Sequence, residues 1–383
     1  MGSGKAAYLK KITTNLRWRT KDLGQNVEGS SPPSVFVGSF GYPKVAIGPM
    51  LAPYNGDTTL LDQPEDWIPK NKTQEDIISF RLDLVRGKST VSITDFENKV
   101  VQKVQEIALS KYSVSSEVGF KTRPKGFSID EDHQPFGPSA ELEKFDIDPV
   151  RWDEQMEKAY YDTDLNATEA ITGLYNSGVN FSQIQKALST GSFGLKKNRK
   201  LVPTRWSITA ADSALARYYF DQVRYNDLIE EYEIYEFSSL NNYYAVILIP
   251  TPWQYEWLEA FIHIMGKEEH IFSDYEQWKQ KSQYSSVGGC YYSAKFAVLE
   301  ALARTKRQAG AVILREAYEG YVPLGVFNVR ENVRWAMKQK PRKVQKFRDA
   351  LNYVSTKLKL PISRFVDQGI LIRELLSARQ SRL

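Results

Sequence analysis

Arg199-Lys200-Leu201-Val202-Pro203-Thr204-Arg205-Trp206-Ser207-Ile208-Thr209-Ala210-Ala211-Asp212 is the stretch against which the rest of the chain is read. The ten residues from Lys196 to Arg205 hold five cations and no acid, and Trp206 follows at once. Pro203 forbids a helix through the middle and biases Val202 to an extended conformation. Ser207, Thr209 and Asp212 are placed to cap a helix beginning near Ala210. The stretch reads as a positively charged connector delivered onto a helix N-terminus. There, cationic side chains and unpaired backbone N–H groups can converge on a phosphate. The alternative is a basic surface loop whose Trp206 only packs.

The chain has 383 residues, more than one domain usually holds, so two lobes are expected. Its net charge of +5, from 51 basic and 46 acidic residues, does not by itself dictate nucleic-acid binding; local clustering has to carry that reading. A single cysteine, Cys290, excludes an intrachain disulfide framework and a cysteine-rich zinc site. The longest apolar run, Ala245-Val246-Ile247-Leu248-Ile249, is strand-sized, and no signal peptide is visible. These features describe a soluble, cytoplasmic protein with no membrane partner.

Residues 1–31 read as a flexible basic arm, with Met1 to Lys5 an expression-tag remnant that lacks the spacing of a phosphate-binding loop. Residues 32–148 form an N-terminal α+β lobe. It opens with a hairpin of Val35 to Val37 and Val45 to Ile47, whose Gly38, Gly41 and Gly48 serve either tight turning or close approach of a ligand. Asp57, Asp62, Glu65 and Asp66 could hold Mg²⁺, although such residues more often cap turns. Helices are expected at 73–86 and 97–110 and a strand at 114–121. A long polar loop from Arg123 to Pro138 carries His133.

Residues 149–360 form a second α+β lobe containing Arg199 to Asp212, and 361–383 a helical tail. Helical runs at 166–176 and 181–189 flank a glycine turn. They fit either an ordinary αα-hairpin or a helix-turn-helix with Ser182, Gln183, Gln185 and Lys186 facing outward. Residues 229–237 and 242–249 read as an antiparallel pair, and 253–264 as an aromatic-rich helix. The fold class is α+β, with mostly antiparallel strands and two lobes.

Arg315-Glu316 and Arg330-Glu331 each end an apolar run, as site residues or as a buried ion-pair network. Arg199, Lys200, Arg205, Arg315 and Arg330 are the candidate phosphate ligands, with Trp206 stacking on a base. For an enzyme, Asp212, Glu316 and Glu331 are the candidate bases or metal ligands.

Several of these stretches resemble one family, the archaeal Nre DNA-repair proteins, known for binding the sliding clamp PCNA. The likeness is carried by Pro33 to Gly38 with Gly41 to Val45, the acidic segment Asp57 to Trp67, Gln134 to Ser139, Arg199 to Ala210, and Tyr291 to Arg334. It runs from about residue 32 to 340. The resemblance implies repair of damaged DNA without supplying a reaction. The family's N-terminal cysteine-rich motif is absent, so zinc is not expected here. Of the clamp-binding pattern Gln-x-x-aliphatic-x-x-aromatic-aromatic, only Gln368 and Leu371 are met, with Glu374 and Leu375 at the aromatic positions. Three readings stand: a DNA-binding repair factor, an enzyme of nucleotide or nucleic-acid chemistry, and an adaptor recruited by the clamp.

Overall fold

A computed structural model describes residues 4–15, 22–129, 133–264, 266–279, 281 and 283–377. The chain is α+β and divides into two compact units: Leu16–Leu215, and Met1–Asn15 together with Ala216–Leu383. The division falls inside the helix Thr204–Val223, well beyond the junction expected near residue 148.

The Leu16–Leu215 unit is built on six strands, β1 (Asn26–Ser31), β2 (Val35–Val37), β3 (Lys44–Leu51), β4 (Val85–Ser92), β5 (Val114–Phe120) and β6 (Ser139–Ile147). Their order is β1-β5-β6-β4-β3-β2, antiparallel throughout except between β4 and β6. Val35, Val37, Val45, Ile47, Val85 and Val91 point to one face, where the helix Lys99–Leu109 covers them with Val101, Val104 and Ile107. The expected β2–β3 hairpin is present. Gly48 lies within β3 rather than in a turn. A Cβ there would meet the Gly87 carbonyl oxygen at 2.1 Å, so the glycine lets β3 and β4 approach each other beside Arg86.

A buried carboxylate ties four segments of this unit together. Asp62 pairs with Arg81 of the helix Gln74–Asp83, with Lys186 of the helix Phe181–Ser189 at 2.8 Å, and accepts the Ser34 hydroxyl beside β2. Lys186 also donates to the Asp62 carbonyl at 2.8 Å. Burial opposes ionisation of Asp62, yet the Arg81 and Lys186 charges hold its carboxyl below the usual carboxylate range.

This cluster corrects two expectations. Asp62 is a counter-ion inside the protein rather than a Mg²⁺ ligand, and among the described residues no group of three acidic, histidine or cysteine side chains is arranged for a metal. The helix Phe181–Ser189 does not present Ser182, Gln185 and Lys186 to DNA. All three are buried, donating to Glu65, Ser207 and Asp62 respectively. A helix polar on paper is buried here because each polar group finds a partner.

The second unit carries a two-stranded pair, β7 (Asp227–Leu228) and β12 (Arg307–Gln308), and a six-stranded sheet. The sheet is made of β8 (Tyr232–Ser239), β9 (Asn242–Ile249), β10 (Tyr255–Ile262), β11 (Glu269–Glu276), β13 (Gly310–Ala317) and β14 (Arg342–Val344). The order is β11-β10-β13-β9-β8-β14, with only β10 and β13 parallel. β8 and β9 join through Leu240 and Asn241, both at positive φ, the backbone of a tight hairpin turn.

The stretch read as an aromatic helix is in fact strand β10. All eight of its residues are buried, so it lacks the alternation that marks a half-exposed strand. Leu258, Ala260 and Ile262 face the helices Phe347–Ser355 and Leu371–Ser377, while Phe261 meets Tyr8 of the N-terminal helix Lys5–Asn15.

That helix replaces the expected loose arm over residues 5–15; Met1 to Ser3 and Leu16 to Lys21 lie outside the described residues. Tyr8, Leu9 and Ile12 are buried, and Lys5 pairs with Glu259. No helix among the described residues is long and apolar enough to cross a membrane.

Removing the Asp62 carboxylate leaves Arg81 and Lys186 buried without their counter-ion. Asp62→Ala is expected to lose ~3–5 kcal/mol of stability in denaturant unfolding. The wild-type contribution is present above the ordinary carboxylate pKa and is lost as pH falls through the lowered native value, so the difference from Asp62→Ala narrows in acid.

Candidate nucleic-acid interface

Along β3 and β4, the face of the Leu16–Leu215 sheet opposite its core is cationic. Side chains alternate along a strand, so in Val85-Arg86-Gly87-Lys88-Ser89-Thr90-Val91 the residues Arg86, Lys88 and Thr90 share the face away from Val85 and Val91. On β3, Lys44 and Ala46 join them, Ala46 directly opposite Thr90. These residues line a cavity of 590 Å³, closed by the turn Gly38–Gly41, by Phe136 and His133 of the polar loop, and by Thr204 and Arg205. Lys44, Arg86, Lys88 and Arg205 bring four positive charges, and no acid lines the cavity among the described residues.

Arg86 is its most unusual member. It is 7% exposed, and its guanidinium lies between two rings, 4.4 Å from the Phe36 centroid and 4.6 Å from that of Phe136. No carboxylate or other acceptor among the described residues takes a hydrogen bond from it, and Nε is buried without a partner. Burial, then the nearby Arg81 charge, pushes Arg86 down to about 10, so it remains a cation at neutral pH. Lys88 is lowered too, first by burial and then by Arg86. Two ring faces offset part of the desolvation, but cation–π contact contributes only ~0.5–2 kcal/mol against a penalty of several. A cation so placed favours an anion.

The surroundings fix this guanidinium. Arg81, held by Asp62, donates from Nε to the Pro135 carbonyl at 3.0 Å and so anchors the loop that carries Phe136. The next residue, Gly137, passes so close to Leu84 that a Cβ would lie 2.4 Å from its carbonyl oxygen. Phe36 on β2 completes the clamp.

Thr204 and Arg205 enter from the stretch that organised the sequence reading. The helix there starts at Thr204, not near Ala210, because the Pro203 carbonyl accepts from Trp206 N at 2.8 Å and Ser207 N at 3.0 Å. Proline before the first turn is compatible with a helix start, since it is the interior that proline breaks. Arg205 and Trp206 thus stand at the positive end of a 20-residue helix. The Val37 N–H donates to the Thr204 hydroxyl at 3.1 Å, fixing that end against β2. Leu201, buried in the core beside β4, anchors the connector. Trp206 is 45% exposed and lies 5.1 Å from Tyr42, tilted at 55°; Phe40, 97% exposed, stands in the same turn.

The other expected site residues are placed differently. Arg199 is engaged by backbone, donating to the carbonyls of Gly194, Tyr160 and Asp162 at 2.8, 2.8 and 2.7 Å. Lys200 is exposed and does not line the cavity, and Asp212 is buried. In the second unit, Arg315 is 1% exposed, paired with Glu259 at 2.8 Å and donating to Asn242 at 2.9 Å. Arg330 is buried in the helix Phe327–Ala336. Glu316 accepts the N–H groups of Lys359 and Leu360 at 2.8 and 2.9 Å, and Glu331 pairs with Arg334 at 2.8 Å. Arg315, Glu316 and Glu331 each meet an internal partner, two by ion pairs and Glu316 through backbone N–H groups. Leu371 is buried under β10, and the Gln368 carbonyl accepts from Ser273.

Arg86, Lys88 and Lys44 were missed in the sequence. The signal was the alternation Arg86-x-Lys88-x-Thr90 after the helix, hidden by ending that helix at Arg86.

The fold and site define an α+β protein of two compact units, one with a cationic, aromatic-rimmed cavity. The chain belongs to the archaeal Nre family. The family's N-terminal domain (Archaeal Nre, N-terminal) matches residues 1–264 and its C-terminal domain (Archaeal Nre, C-terminal) residues 276–383. The chain is 38% identical over 356 residues to the DNA repair protein NreB of Archaeoglobus fulgidus, covering 91% of this chain and 90% of that one. It is 34% identical to the DNA repair protein NreA of the same organism, over 86% and 84% of the two chains. With the DNA repair protein NreA of Haloferax volcanii the identity is 30%, over 89% and 84%. No solved structure matches.

If Arg86 is an unsatisfied cation awaiting an anion, Arg86→Met will melt no lower than wild type in chloride buffer of low ionic strength. The wild type will gain thermal stability with added phosphate, and Arg86→Met will gain much less. Melting curves of both proteins across a phosphate series check this.

Proposed function

We propose that this chain is a DNA-repair protein that holds DNA in the Leu16–Leu215 unit, with phosphate at Arg86, Lys88, Lys44 and Arg205 and bases against Tyr42, Trp206 and Phe40. The observation that carries the reading is the Arg86 guanidinium, buried between two phenyl rings with no internal acceptor among the described residues. Its neighbours supply what nucleic acid asks for. Further cations and a helix N-terminus face the backbone charge, and exposed rings offer stacking surfaces independent of base identity. The names of the relatives, DNA repair proteins, agree with this role.

Single-stranded DNA titrated across a salt series tests it. Arg205→Ala and Lys88→Ala should each weaken binding and lower the salt slope by about 0.7, one phosphate's share for a single strand. Trp206→Ala should lose ~1–3 kcal/mol with the slope unchanged. Arg199→Ala should leave affinity and slope intact, since its guanidinium serves three internal carbonyls. Equal affinity and slope in wild type, Arg205→Ala and Lys88→Ala would refute the proposal.

A further inference from the structure

The four cations of the cavity are graded in depth. Lys44 and Arg205 are exposed, Lys88 is half-buried, and Arg86 is buried. The aromatic side chains are graded in the same sense. Phe36 and Phe136 flank Arg86 inside, while Phe40, Tyr42 and Trp206 present their faces outside. A ligand satisfying both sets places concentrated negative charge inward and a flat apolar ring outward.

An internal phosphodiester fits this poorly. It bears one negative charge, and with two ester arms it has only two unesterified oxygens to offer to Arg86 and Lys88. A terminal phosphomonoester carries about −1.5 to −2 at neutral pH and presents three unesterified oxygens on one side. That charge is the better match to a cavity in which Arg86 stands between two rings without an internal acceptor among the described residues and Lys88 lies two residues along the same strand face. The cavity, 590 Å³, lies in the range that seats small-molecule groups.

Resting on the DNA-binding reading above, we infer that the cavity receives the terminal phosphomonoester of a DNA single strand. Its oxygens meet Arg86 and Lys88, and the end nucleotides lie outward along Trp206, Tyr42 and Phe40. The aromatic group outside the cavity favours a strand over a free mononucleotide, because a single base leaves most of those ring faces uncovered. The protein would then recognise broken or processed ends by their phosphate.

The experiment is a competition titration with one short sequence in five forms: 5′-phosphorylated, 3′-phosphorylated, hydroxyl-ended at both termini, circularised, and as its free terminal mononucleotide. At least one phosphorylated end is expected to bind about tenfold more tightly than the hydroxyl-ended and circular strands. Arg86→Met, shown by its melt to be folded, should erase that preference, lowering affinity for the phosphorylated strand about tenfold more than for the hydroxyl-ended and circular strands; Lys88→Ala should reduce the preference. Equal binding of the four strand forms, still dependent on Arg205, overturns end recognition and leaves the DNA-binding reading standing. No binding of any strand overturns both. Mononucleotide binding as tight as that of the phosphorylated strand overturns the DNA end as the ligand in favour of a free nucleotide.

Discussion

One wall of the candidate site depends on one buried carboxylate, Asp62. It gathers Arg81, Lys186 and Ser34 from three different segments, and Arg81 then reaches the Pro135 carbonyl and sets the loop that carries Phe136. Phe136 is one wall of the Arg86 clamp. A buried ion pair is weak evidence for stability, but it fixes geometry, because few arrangements satisfy so many charges away from water. The contrast between two arginines in one unit follows. Arg81 has its counter-ion and is structural, whereas Arg86, five positions on, has ring faces and no internal acid among the described residues.

The second unit uses buried carboxylates for a different purpose. Glu256 on β10 accepts the backbone N–H groups of Ile370, Leu371 and Ile372, so a strand carboxylate caps the last described helix from outside it. Glu316 on β13 does the same for Lys359 and Leu360, just ahead of the helix Ile362–Gln368. Burial lifts both carboxyls above the usual range, and the donated N–H groups oppose the rise. On the opposite side of β10, Glu259 joins Arg315 to Lys5. Charged residues that look like site candidates on a linear reading therefore hold helices against the sheet.

Where hydrophobic pattern and capping agreed, the sequence could be read directly. Thr73 with Asp76 forms a capping box, Asn98 caps the helix Lys99–Leu109, and the β8–β9 and β2–β3 pairs stand near their expected places. β10 was illegible because a strand buried on both faces loses its period of two. The N-terminal helix was illegible because its few apolar residues acquire a partner only from the far end of the chain. At the site, Arg205 and Trp206 were legible as a cation and a ring on a connector leading to a helix, though the helix was expected only near Ala210. Arg86 was not, since nothing local distinguishes a buried, unpaired arginine from one with a counter-ion. That difference is made by Asp62 choosing Arg81.

The division into units also bears on the order in which the molecule can assemble. Leu16–Leu215 is continuous in sequence, whereas its companion is assembled from residues 1–15 and everything after Leu215. Lys5 donates to the Val287 carbonyl at 2.8 Å, 282 positions away. During synthesis from the N-terminus, the inserted unit has all its internal partners while Tyr8, Leu9 and Ile12 still lack the strand they pack on. Closing so long a loop adds little to its equilibrium cost, which grows only with the logarithm of length, but such non-local contacts form slowly. The first helix of the chain therefore docks late, onto a sheet whose strands are among the last to be made.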